Sequence, residues 1–243
     1  LVASVAIAAI VAFVLATQVA RKLYLERSAS ALQPTYERRY AENNARLART
    51  DKARVVLIGD SRVAQWAPRP TAPPQFELVW RGVSGETTAQ LKYRYRQDTS
   101  GIGAAVIVLQ SGINDVVAGS ALGRGAEAAE SAFANIRDMI ESSTQKGVTV
   151  VLLTVVPPAT PPLARRLVWS DSVYAQVAAL NNRLRSLARP GVWVLDAERL
   201  LCAGSERLPR ALARDTLHFR EPAYRRLNDE LNRTLQDEVH VVQ

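Results

Sequence analysis

Four short stretches, far apart in the chain, carry residue types that serine-based ester chemistry needs. They are Gly59-Asp60-Ser61, Ser84-Gly85-Glu86-Thr87, Gly112-Ile113-Asn114-Asp115 and Asp215-Thr216-Leu217-His218. The first offers a hydroxyl nucleophile, and the middle two offer hydrogen-bond donors for an oxyanion. The last offers a base with a carboxylate to orient it. A hydroxyl attacks poorly until a neighbouring base takes its proton, and that base must be held in one tautomer. The chain has only two histidines, His218 and His240, and His218 follows an aspartate by three residues. His240, near the C-terminus, has no such context.

These residues need a scaffold, and the apolar runs between them describe one. Val55–Ile58 is a short continuous apolar run ending at Gly59, as expected of a buried parallel strand. Phe76–Trp80, Ala104–Leu109, Val148–Val156 and Val192–Leu195 are runs of the same kind. Between them lie segments with helical spacing, notably Ala126–Ser143 and Val173–Leu187, and Pro222 opens a last helix over Ala223–Leu235. Alternation of strand and helix predicts right-handed crossovers and a parallel sheet covered on both faces. Ligands of such folds bind beyond the carboxyl ends of the strands. Ser61, Gly85 and Asn114 each follow one of the first three runs. Two proline-rich loops, Ala67–Pro74 and Pro157–Pro162, are placed either to rim that site or to serve as ordinary surface connections.

The 243 residues suffice for one sizeable domain with a small appendage. Apolar residues make up 48% and charged residues 22%, which is a globular rather than a disordered balance. The single cysteine, Cys202, excludes an intrachain disulfide and any multi-cysteine metal site. No phosphate-binding glycine loop and no metal-ligand constellation is present, so no cofactor and no metal are expected. Of the net charge of +8, +5 lies in residues 21–54. A basic stretch next to an apolar segment suits lipid headgroups. No zinc-finger spacing or aromatic-basic interleaving points to nucleic acid.

That apolar segment is Leu1–Ala20, which carries no charge. Twenty helical residues span about 30 Å, the thickness of a bilayer core. Arg21 and Lys22 close it with side chains able to snorkel. Its length favours an uncleaved transmembrane anchor over residues 1–21. The alternative is a removed signal peptide, since Val14-Leu15-Ala16 and Gln18-Val19-Ala20 loosely resemble cleavage sites. A charged, partly helical juxtamembrane linker over 22–53 follows, with helix around Pro34–Arg49, and then a catalytic domain over 54–243. Taken literally, the basic 21–54 stretch would leave the domain in the cytoplasm. The chain starts at Leu rather than Met, so that count covers one side only. The expected location is the inner membrane of a bacterium, with the domain periplasmic. Ser4, Ala8, Ala12 and Ala16 recur every four residues. They form a narrow small-residue face for self-association or a transmembrane partner, although alanine abundance alone produces such spacing.

The four blocks, in this order, resemble the SGNH (GDSL-type) hydrolase superfamily over roughly Arg54–Leu235. The departure is Arg62, where a leucine often follows the serine; it is expected to alter the rim of the pocket. The resemblance implies an α/β/α fold of three layers, with a five-stranded mostly parallel sheet in the order 2-1-3-4-5. It implies Ser61 as nucleophile, and Ser61 N–H, Gly85 N–H and the Asn114 amide as oxyanion donors. Gly82 is a nearby rival to Gly85. It implies His218 as base and Asp215 as its partner. Asp60 is expected to be structural and Asp115 to form a turn. Arg62, Arg214 and Arg220 are expected to be solvated, or else to attract an anionic substrate. The activity implied is removal of short acyl esters, acetyl-type, from a cell-envelope glycan or an acylated small molecule. The rivals are an O-acyltransferase using the same acyl-serine, and a non-enzymatic member of an envelope or polysaccharide assembly.

Overall fold

The computed structural model describes residues 2–33, 40–47 and 50–237. His240 and residues 34–39 and 48–49 of the expected Pro34–Arg49 helix lie outside them, as does the side chain of Ser4. The elements in chain order are α1 (Val2–Ala31), α2 (Ala41–Ala45), β1 (Ala53–Gly59), α3 (Ser61–Ala64), β2 (Phe76–Gly82), α4 (Thr88–Thr99), β3 (Ala104–Gln110) and α5 (Ile113–Ala121). There follow α6 (Gly125–Thr144), β4 (Thr149–Leu153), α7 (Leu163–Arg166), α8 (Ser172–Arg185), β5 (Val192–Leu195), α9 (Ala197–Cys202) and α10 (Glu221–Asp237).

The five strands form one parallel sheet in the order β2-β1-β3-β4-β5. Apolar residues at successive strand positions face opposite ways, so each continuous run feeds two cores. Val56, Ile58, Ile107, Leu109, Val150 and Leu152 pack with α4, α5, α6 and α8. Val55, Leu57, Val106, Val108, Val151 and Leu153 pack with α3, α9 and α10. These are the three layers the sequence implied.

β4 stops at Leu153, short of the expected Val156, and the cause is a side chain. Asn181 of α8, fully buried, accepts from Val155 N–H (2.7 Å) and donates to Val155 C=O (2.8 Å). One amide thus takes over both backbone groups of Val155 that a ladder would have used.

At the N-terminus, α1 does not end at Arg21 but runs on to Ala31. Residues Val5–Ala31 are long and apolar enough for a membrane span or a signal sequence, and the apolar window is not buried. Ala8, Ala12 and Ala16 are exposed. The far end of the helix rests on the domain. Ser28 is buried, and Thr87 Oγ1 donates to Ala31 C=O (2.8 Å). Beyond it, Tyr40 OH donates to Gly82 C=O (2.6 Å), and Asn44 bonds the Arg81 guanidinium. The stretch expected as a linker is therefore seated on the domain at these points.

Candidate active site

β1 ends at Gly59, where a Cβ would collide with the Gln110 carbonyl of β3. The two strands can close up only because that atom is missing. The chain then turns sharply into α3. Asp60 caps this helix, its Oδ1 accepting from Arg62 N–H (2.9 Å), which leaves Ser61 as the first helical residue. Asp60 is fully buried, and its Oδ2 has no partner among the described residues. Burial pushes this carboxyl up to about 6, opposed by the Arg62 charge, the Arg62 N–H and His218. The capping bond gives Asp60 a structural task in α3.

Ser61 Oγ lies 3.0 Å from His218 Nε2. His218 Nδ1 lies 2.8 Å and 3.0 Å from the two oxygens of Asp215. Asp215 Oδ1 also accepts from Leu217 N–H (2.8 Å) and His218 N–H (2.9 Å). Partial burial raises the Asp215 carboxyl, but these backbone bonds and the imidazole outweigh it and hold it down at about 2. The loop is closed by Arg214 N–H donating to His218 C=O (2.8 Å) and by a bridge between Ala213 and Phe219. It is a small rigid hairpin, and it brings residues 157 positions apart into one hydrogen-bonded chain.

The second and third blocks meet beside it. Gly85 adopts φ +80°, a conformation that suits glycine, and a Cβ there would point into open space. Gly82, its rival, ends β2 where a Cβ would strike the Ala64 backbone, so its role is close packing. Asn114 Nδ2 donates to Glu86 C=O (2.9 Å), joining the two blocks. Among the described residues no acceptor takes the N–H of Ser61 or of Gly85. Asp115 does not form the expected turn. Its carboxylate accepts from Thr88 N–H (2.9 and 3.1 Å) and Thr88 Oγ1 (2.6 Å), tying the start of α4 to α5.

Two arginines beside the site are buried, and for one of them, Arg62, this overturns the sequence expectation. Arg94, on α4, donates through Nε and Nη2 to both oxygens of Glu86 (2.6 Å each) and pairs with Asp98. Its Nη2 also reaches Arg81 C=O (2.9 Å) and Gly59 C=O (3.3 Å). One guanidinium thus gathers the ends of β1 and β2 and the Gly85 loop. Only the Arg94/Asp98 spacing of four hints at this. Arg62 contradicts the expectation of a solvated or rim residue: it is 1% exposed. Its Nε and Nη1 find carbonyls inside, while Nη2 has no partner among the described residues. Arg214 and Arg220 are exposed, as expected.

A cavity of about 550 Å³ lies between α8 and α9, lined among others by Tyr174, Arg185, Glu198, Cys202 and Arg207. It contains none of the four blocks, so the chemistry, not the cavity, locates the site. Among the described residues no group of His, Cys, Asp and Glu could hold a metal ion.

A doubly covered parallel sheet with a Ser-His-Asp chain at its carboxyl edge defines an SGNH-type serine hydrolase. The chain belongs to the GDSL-like lipase/acylhydrolase family, which it matches over residues 57–226. Similar solved structures include a GDSL-like lipase from Bacteroides thetaiotaomicron VPI-5482, with 25% identity, TM-score 0.68, and coverage of 83% of this chain and 97% of that one. An acetylxylan esterase from Geobacillus stearothermophilus has 18% identity, TM-score 0.61, and coverage of 78% and 98%. A lipase/acylhydrolase from Enterococcus faecalis has 18% identity, TM-score 0.57, and coverage of 79% and 100%. The latter two likenesses are of fold. No curated protein matches the sequence.

Proposed function

We propose that this protein is a membrane-anchored esterase that removes short, acetyl-type acyl groups from a cell-envelope glycan through an acyl-Ser61 intermediate. The observation that carries the catalytic reading is the continuous Ser61–His218–Asp215 chain, with links of 3.0 and 2.8 Å. His218 Nε2 takes the Ser61 proton as Oγ attacks the ester carbonyl. Asp215, ionised across the working pH range, holds the imidazole and stabilises its cation. The tetrahedral oxygen is received by Ser61 N–H, Gly85 N–H and the Asn114 amide. Collapse expels the alcohol, which takes the proton from His218, and water repeats the sequence to release the acid. The fold likeness to an acetylxylan esterase supports a small acyl group and a sugar alcohol. The length and hydropathy of α1 support anchoring, with the domain on the periplasmic side of a bacterial inner membrane.

The test is labelling by a fluorophosphonate together with hydrolysis of p-nitrophenyl acetate. Wild type should react at Ser61, and Ser61→Ala should lose both labelling and turnover while melting at an unchanged temperature. Substantial turnover by Ser61→Ala would sink the assignment. Supplying an acylated donor with a glycan acceptor then distinguishes water from a sugar hydroxyl as the acyl acceptor.

A further inference from the structure

Arg62 directly follows Ser61, yet its side chain runs inward. Nε donates to Leu217 C=O (3.0 Å) and Nη1 to Val156 C=O (2.7 Å). The guanidinium lies over the Phe219 ring, 4.6 Å from its centroid. Its peptide carbonyl accepts from Tyr224 OH of α10 (2.9 Å). The side-chain contacts therefore fall on the residue before His218, on the residue after it, and on the residue that leads into the Pro157–Pro162 loop.

Burying a guanidinium without a hydrogen-bonded carboxylate is costly, and an apolar side chain of similar size would fill the space more cheaply. A leucine or methionine cannot, however, offer a planar fork of N–H donors. The fork fixes two carbonyls from two different loops relative to one α-carbon, which lies about 3.8 Å from that of Ser61 across a trans peptide. The hairpin 213–219 is internally rigid: Asp215 is bonded to Leu217, His218 and the imidazole within it. Two other bonds tie the hairpin to its surroundings, Arg214 Nη2 to Gln65 Oε1 at the end of α3 (2.7 Å) and Ala159 N–H to Thr216 C=O (2.9 Å), but Arg62 is the one that bonds the residue next to His218.

We propose that Arg62 is a positioning residue that registers the His218 hairpin against Ser61 by clamping Leu217 and Val156 from the nucleophile's own helix. This rests on the catalytic reading of Ser61 and His218 given above. Arg62 does not touch the reacting atoms; it sets the distance between the two that do. A misplacement of about 1 Å between catalytic groups can cost about 10²-fold in rate.

The test uses the full chain in detergent with Arg62→Met and Arg62→Lys. It reads kcat and KM for p-nitrophenyl acetate, the rate of fluorophosphonate labelling, and the melting temperature. Arg62→Met should stay folded, with kcat down about 10- to 100-fold and KM changed less than about threefold. Labelling should slow in the same proportion. Arg62→Lys, which can still reach one carbonyl, should recover part of the loss. A kcat for Arg62→Met within about threefold of wild type would overturn the proposal, as would a rise in KM alone. Unfolding of both variants would do so too, because it would make Arg62 a residue of the fold. If Ser61→Ala stays active, the catalytic reading itself fails and takes this proposal with it. Loss in Ser61→Ala beside an unaffected Arg62→Met isolates the failure here.

Discussion

Asp60 and Ser61 are neighbours with different tasks. In the proposed mechanism Ser61 attacks the ester, whereas Asp60 is fully buried with one oxygen capping α3. Burial raises the Asp60 carboxyl from 3.8 to about 6, so the folded state prefers it neutral. The stability it contributes is complete below about pH 4 and is lost as pH rises through 6, on the order of 3 kcal/mol by pH 7. Asp60→Asn keeps the capping oxygen and removes the titration. Urea unfolding should therefore show the variant gaining on wild type between about pH 4 and 7; a constant difference would contradict this. Asp215 runs the other way: held at about 2, its contribution is present above about pH 4 and fades toward pH 2. Asn114 carries a kinetic expectation instead. Asn114→Ala should lower kcat by about 10²–10³ with a smaller effect on KM, because its donor matters most when negative charge develops. An unchanged kcat would move the oxyanion role elsewhere.

At the scale of elements, the loop bearing Gly85 is held mainly by α4. Arg94 pairs with both Glu86 and Asp98, all three nearly inaccessible to water, and the Arg81 charge also acts on Asp98. Arg94→Met would leave two buried carboxylates unpaired, a loss of about 3–5 kcal/mol. The prediction is a melting temperature lower by roughly 10 °C, partly restored by acid as the carboxylates take up protons. A flat response to pH would mean that the network is not the support. This arrangement also marks where sequence reading stops. Strand runs, helix spacing and the four blocks were legible because each repeats a local period or a short motif. Five strands appear where the apolar runs predict, and β5 matches Val192–Leu195 residue for residue. Arg62 and Arg94 were not legible, since a buried arginine is spelled like a surface one until the carbonyls around it are known. The end of β4 was hidden likewise. Val155 and Val156 carry the apolar character on past Leu153, but Asn181, 26 residues along the chain, takes the backbone of Val155, and Arg62 takes the carbonyl of Val156.

The whole molecule includes its N-terminal helix more intimately than a linker would. The bonds from Thr87 to Ala31, from Tyr40 to Gly82 and between Asn44 and Arg81 all join the leading segment to the Gly85 loop or to the strand that feeds it. A fragment beginning at Ala53 loses all three, each worth about 1 kcal/mol. It should melt on the order of 10 °C below a fragment beginning at Arg21, and equal melting curves would show the seating to be unimportant.

A flexible leash lets an enzyme sweep a hemisphere above its attachment point, whereas a seated helix sets a standoff. With α1 as the proposed anchor, Arg21 to Ala31 is one continuous helical rod, rising about 15 Å at about 1.5 Å per residue. Its upper end stops at Thr87, two residues from Gly85 and on the same edge of the sheet as Ser61. On that proposed anchoring the active site would work at a set altitude over the bilayer, and an acyl group would have to be presented at that height to be reached.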